Sequence, residues 1–126
     1  MIIDTDVLIW YLRGNEHALN IVKKHIPFAI SVITYMELIH GMRNKRELEL
    51  LKKHLKNWDV KILHIDKDIS ARAMVLVEQY YLSNSLELGD AIIGVTATEH
   101  QETLLTANDK HYRIIQNLNI EIFRPS

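Results

Sequence analysis

Cysteine is absent from the sequence, which removes disulfide bridges and thiolate-ligated zinc from the ways this fold could be held. Packing must suffice. Proline occurs only as Pro27 and Pro125. No Pro-, Gly- or Ser-rich linker, repeat or low-complexity tract divides the chain, so a single domain over residues 1–126 is expected. No apolar run approaches the ~20 residues of a membrane-crossing helix. Strand-like residues begin at Ile2, leaving no space for the charged and apolar regions of a secretory leader, so the expectation is a cytoplasmic protein without a membrane partner. An excess of one charge is missing too: 15 basic and 16 acidic side chains give a formal net charge of −1. Composition therefore provides no global attraction to polyanions, and any nucleic-acid contact would rest on local basic groups.

What is present is an alternation. Short β-branched runs recur as IIDT, FAIS, VKIL, TLLT and IEIF, and the intervening segments are mostly long enough for one or two helices. ISARAMVLVEQYYL places Ile69, Ala73, Leu76, Val77 and Tyr80 on one helical face, and RNKRELELLKKHLKN turns Leu48, Leu51 and Leu55 inward with its charges in water. Strand and helix in turn imply an α/β protein with a mainly parallel sheet covered on both faces. Ligand sites of such sheets lie outside the carboxyl ends of the strands.

Three acids stand out by their company. Asp4 directly follows the first strand-like run. Glu37 is the only charged residue of FAISVITYMELIHGM when histidine is neutral, and Asp90 the only one of LGDAIIGVTAT. Both segments read as largely buried helices, where a lone carboxylate loses hydration and needs a partner. Asp90 could serve as a first-turn acid and Asp6 as the N-cap of the helix VLIWYL, but Glu37, about two turns beyond the N-cap Ser31, has no capping role. Convergence of Asp4, Glu37 and Asp90 on a divalent cation accounts for all three. Oxygen ligands favour Mg²⁺ or Mn²⁺ over zinc, and no H-E-x-x-H pair is present. Such a centre suits phosphodiester hydrolysis, with Glu37 placed to orient or deprotonate the attacking water.

IIDTDVLIW, SVITYMELIHG, LGDAIIGVTA and LLTANDKHY, in this order and spacing, resemble the PIN-domain ribonucleases, and among them the VapC-type toxins of prokaryotic toxin-antitoxin systems. The resemblance implies a three-layer α/β/α sandwich with a sheet of about five strands, Mg²⁺- or Mn²⁺-dependent cleavage of RNA, a homodimer, and inhibition by a small VapB-like antitoxin. It assigns the metal to Asp4, Glu37 and Asp90, gives Asp6 a capping or supporting role, and makes Thr106 a hydroxyl that orients a ligand. Asp109 is counted with the catalytic acids, although the family register places Asn108 towards the pocket and Asp109 could instead cap the helix near Lys110. His111 stands where some relatives carry a further acid.

Competing readings are a haloacid-dehalogenase-like phosphatase, suggested by DTDVL but lacking the right residue at Leu8; a receiver-like domain, which leaves Glu37 unexplained; and an inactive PIN-like module that binds RNA or protein. Arg13, Lys23, Lys24, Lys45 and Arg46 are candidate phosphate contacts, and Tyr11, Tyr35 and Tyr112 candidate base-stacking groups.

Overall fold

In the computed structural model, which describes residues 1–126, five strands form one parallel sheet. They are β1 (Ile2–Ile3), β2 (Ala29–Ser31), β3 (Lys61–Leu63), β4 (Leu104–Thr106) and β5 (Ile120–Ile122), in the order β3-β2-β1-β4-β5. Each run read as a strand supplies one. The strands are only two or three residues long, but their alternation still sorts side chains cleanly. Ile3, Ile30 and Leu105 enter one core, while Ile2, Leu63 and Leu104 enter the other.

Seven helices cover the sheet: α1 (Thr5–Leu12), α2 (Glu16–Lys24), α3 (Val32–His40), α4 (Lys45–Asn57), α5 (Lys67–Tyr80), α6 (Leu88–Glu99) and α7 (Asp109–Tyr112). Val7, Leu8, Val22, Leu38, Leu51 and Leu55 from α1 to α4 build the first core, with Trp58 and Phe123. Ile69 and Ala73 of α5, Ala91 to Ala97 of α6, and Tyr112 build the second. The result is a three-layer α/β/α sandwich, as expected. The inward faces predicted for α4 and α5 are observed, with Leu48 only half-buried.

Most helix starts are marked by an oxygen-bearing side chain. Asn15, Ser31, Asn44 and Asp66 each accept a backbone N–H at the start of α2, α3, α4 and α5, satisfying one of the donors a helix leaves open. At α1 this role belongs to Asp4, whose Oδ1 accepts the Thr5 N–H at 2.8 Å, and the expected N-cap Asp6 lies one step inside the helix. Asp4 succeeds because it is the last extended residue after β1. The α3 expectation is corrected as well. Only Thr34 and Leu38 of this apolar helix are buried, and Glu37 is exposed.

Candidate active site

The carboxyl ends of β1 and β4 lie side by side, with Ile3 in register with Leu105. The residues that follow them therefore meet. Thr106, fully buried at the end of β4, donates its hydroxyl to Asp4 Oδ2 at 2.7 Å. The next peptide brings the Ala107 N–H to Asp6 Oδ2 at 3.0 Å, while Asp6 Oδ1 takes the Val7 N–H at 2.7 Å. Asp6 is thus a strut between α1 and the β4–α7 loop, and Thr106 has the orienting position expected of it.

Asp90 enters from the first turn of α6. Its Oδ2 lies 3.3 Å from the Glu87 N–H, closing a reciprocal capping box, and 3.1 Å from His111 Nδ1. Its Oδ1 faces the Tyr112 hydroxyl at 3.4 Å. The capping role suggested for Asp90 is real, but it engages only one side of the group. Tyr112, a candidate base-stacking residue from the sequence, is instead fully buried with its phenol among the acids. Burial first, then the charge of Asp4, pushes that phenol far above its usual range, so Tyr112 remains a neutral hydrogen-bond donor to Asp90 beside Asp4. Gly94 makes this possible. A Cβ there would stand 2.3 Å from Ile115 Cδ1 and 3.3 Å from Tyr112 Cδ1, so a side chain at 94 would push Ile115 aside and crowd the ring.

Glu37 reaches the same edge from α3. Thr5, the residue after Asp4, donates its hydroxyl to Glu37 Oε1 at 2.6 Å and lies 2.9 Å from the Thr34 hydroxyl. The other oxygen, Oε2, lies 3.4 Å from where a Cβ on Gly89 would sit, next to Asp90 at the start of α6. Thr5 thus ties Glu37 to the residue after Asp4, and Gly89 leaves room for Glu37 beside the start of α6. Glu37 serves from an exposed position, contrary to the buried lone carboxylate the sequence suggested.

No lysine or arginine pairs with Asp4, Asp6, Glu37 or Asp90; His111 is their only ion-pair partner. Burial, then the neighbouring Asp6, raises Asp4 from 3.8 to about 7. Burial also raises Asp6, and Asp90 adds to it. No three acidic or imidazole side chains stand close enough together to hold an ion between them. An all-oxygen donor set with uncompensated charge nevertheless fits a hard divalent cation that would hold the acids ionised.

Asp109, counted with the catalytic acids from the sequence, has a different environment: it is buried between two arginines. Arg113 donates to its Oδ2 at 2.5 Å and Arg124 to its Oδ1 at 2.8 Å. Arg124 above all holds this carboxyl below the usual range. With a guanidinium on each oxygen, the ligand role suggested by its side-chain type is already filled. Asp109 opens α7 as its first residue, with Asn108 exposed at the cap position. Sequence reading missed the roles of Tyr112, His111 and Arg124; the only local signal was their proximity to LLTAND and to the chain end.

The family model "PIN domain" matches residues 1–117. Ribonuclease VapC10 of Mycobacterium tuberculosis is 33% identical over 122 residues, covering 94% of this chain and 90% of that protein. A toxin-antitoxin complex from Klebsiella pneumoniae contains a chain 29% identical, with a TM-score of 0.78 over 99% of this chain and 97% of that one. VapBC2 from Rickettsia felis, solved with a DNA fragment from its promoter, matches in fold at 21% identity and a TM-score of 0.80, covering 98% of each chain. The order of the motifs, the sheet and the extent of these matches agree: the chain belongs to the PIN domain family.

Proposed function

We propose that this protein is a metal-dependent endoribonuclease and the toxin of a VapBC-type pair. The observation that supports the reading is that Asp4, Asp90 and Glu37, carried towards one edge of the sheet, have no lysine or arginine partner. Asp4, Asp90 and Glu37 would hold Mg²⁺ or Mn²⁺, ions suited to carboxylate oxygen. The chemistry such an ion supplies when bound is polarisation of the scissile phosphate and acidification of an attacking water.

The chain's own groups do the rest. Thr106 and the Thr5 N–H fix the Asp4 carboxylate from two sides. Tyr112 keeps its proton and donates to Asp90 beside Asp4. Glu37 commits Oε1 to Thr5, which leaves Oε2 as the oxygen that would face the ion and orient or deprotonate the water attacking beside it. Cleavage of single-stranded RNA by purified protein is expected with Mg²⁺ or Mn²⁺ and not in excess EDTA. An Asp90→Asn preparation controls for contaminating nuclease; equal cutting in EDTA by wild type, absent from that control, would sink the metal mechanism.

A groove of about 510 Å³ runs from Glu37 between α1, α3 and α4, lined by Ile9, Leu12, Leu38, Leu50 and Leu51, with Arg13 at its side. An antitoxin segment with an apolar face could lie there and cover the acids. Exposed Met74, Leu82 and Leu88 supply an apolar surface for a second copy of the chain. Expression alone is expected to arrest growth, and co-expression with a small DNA-binding protein encoded beside it to restore growth. Harmless accumulation of folded, metal-binding protein would favour a processing nuclease or an inactive module.

A further inference from the structure

The β4–α7 loop is gripped from both sides. Towards the acids, Thr106 donates to Asp4 and the Ala107 N–H donates to Asp6. On the far side, one end of the Arg124 guanidinium closes a fork: Nη1 donates to the Ala107 carbonyl at 2.9 Å and Nη2 to Asp109 at 2.8 Å. That carbonyl belongs to the same rigid peptide unit as the Asn108 N–H, which donates to Thr106 Oγ1 at 3.0 Å. Turning one end of this plane turns the other. With the Asn108 N–H occupying a lone pair, the Thr106 hydroxyl is left to send its proton to Asp4.

We infer that Arg124 is a positioning residue of the acidic site, acting with Asp109 through the Ala107–Asn108 peptide to aim the Thr106 hydroxyl at Asp4. The Arg124 side chain is half-exposed and would otherwise sample many rotamers; the buried Asp109 carboxylate holds it in place. Phe123 N–H adds a bond to the Thr106 carbonyl at 2.8 Å, so the end of β5 and the loop move as one. This accounts for a buried acid, three residues after Thr106, that carries guanidinium partners. The inference rests on the nuclease reading for its consequence but not for its geometry.

Arg124→Lys keeps the charge opposite Asp109 and loses the planar fork. The test compares wild type, Arg124→Lys and Arg124→Ala by amide exchange at Ala107 and Asn108 without metal, by Mn²⁺ titration calorimetry, and by thermal melting. Both variants are expected to exchange the Asn108 amide faster and to bind Mn²⁺ about 10–100-fold more weakly, the usual effect of losing a group that orients a ligand. Arg124→Lys should still melt near wild type. The inference is overturned if Arg124→Lys matches wild type in both exchange and Mn²⁺ affinity, or if Arg124→Ala only melts earlier with both site readouts unchanged. Should wild type take up no Mn²⁺ while Asn108 exchange still responds to Arg124, the nuclease reading falls and the positioning of Thr106 stands.

Discussion

Asp4 and Asp109 are buried almost equally, at 4% and 2% exposure, and each lies within three residues of a strand's carboxyl end. Their surroundings differ in sign. Asp4 has Asp6 beside it and hydrogen-bond donors that are all neutral, and it is raised to about 7; Asp109 has two guanidiniums and is lowered. Burial alone therefore does not identify a ligand. A buried acid whose charge is already matched is a structural fastener, whereas one left among like charges leaves a place for a cation.

Substitution at the acids breaks this contrast most sharply. Asp4→Asn and Asp90→Asn are expected to lower RNA cleavage by more than about 100-fold, beyond the usual effect of changing a supporting group. Asp109→Asn should reduce it more modestly and lower the melting temperature, since it strands Arg113 and Arg124. Comparable loss from Asp109→Asn at every Mn²⁺ concentration would put Asp109 among the ligands after all.

Glu37→Gln should reduce cleavage about 100-fold through loss of the general base. The amide oxygen can still accept the Thr5 hydroxyl, and the site is exposed, so stability should stay within about 0.5 kcal/mol. A larger loss in denaturant melts would mean that Glu37 is chiefly structural.

Acidity separates the two aspartates by stability alone. Between about pH 4 and 7 the folded chain keeps a proton on Asp4 that the unfolded chain has released, so metal-free stability falls as pH rises. The contribution is on the order of 4 kcal/mol as an upper bound for this group. Asp4→Asn should therefore melt higher than wild type at pH 8 in EDTA, and not at pH 4. Asp109 has the opposite sign: its contribution is present above the ordinary carboxylate value and lost as pH falls through its lowered one. Identical pH profiles for wild type and Asp4→Asn would remove the uncompensated charge from the account.

The smallest effect is expected at Tyr112. Tyr112→Phe keeps the ring against Gly94 and loses only the hydroxyl that donates to Asp90, so cleavage should fall about tenfold with the fold intact. Unchanged Mn²⁺ affinity and rate would leave the phenol as core filling.

The strands and the start of α3 were legible because each depends on a few adjacent residues, such as the β-branched run before Asp4 or Ser31 ahead of α3, whereas Asp6 was read as the cap that Asp4 provides. Asp90 stood out by type within apolar surroundings, and Thr106 through the family resemblance. Glu37 was recognised for a partly mistaken reason: α3 is largely apolar, but only Thr34 and Leu38 are buried, and Met36 and Glu37 face outwards. Asp109 could not be resolved locally, since one of its partners lies 15 residues away across β5. Tyr112 required knowing that Gly94 lets α7 approach α6.

The central position of β1 has a consequence for when this protein can act. Ile2 and Ile3 pair with Leu104 and Leu105, and Asp4 is held by Thr106, 102 residues further along the chain. At roughly 5–20 residues per second of synthesis, β1 waits about 5–20 s for its second neighbour. Until then one edge of the first strand is unpaired and Asp4 lacks Thr106. The acidic site is thus assembled only after the segment carrying β4 has been made, and a nascent chain presents no finished site before then.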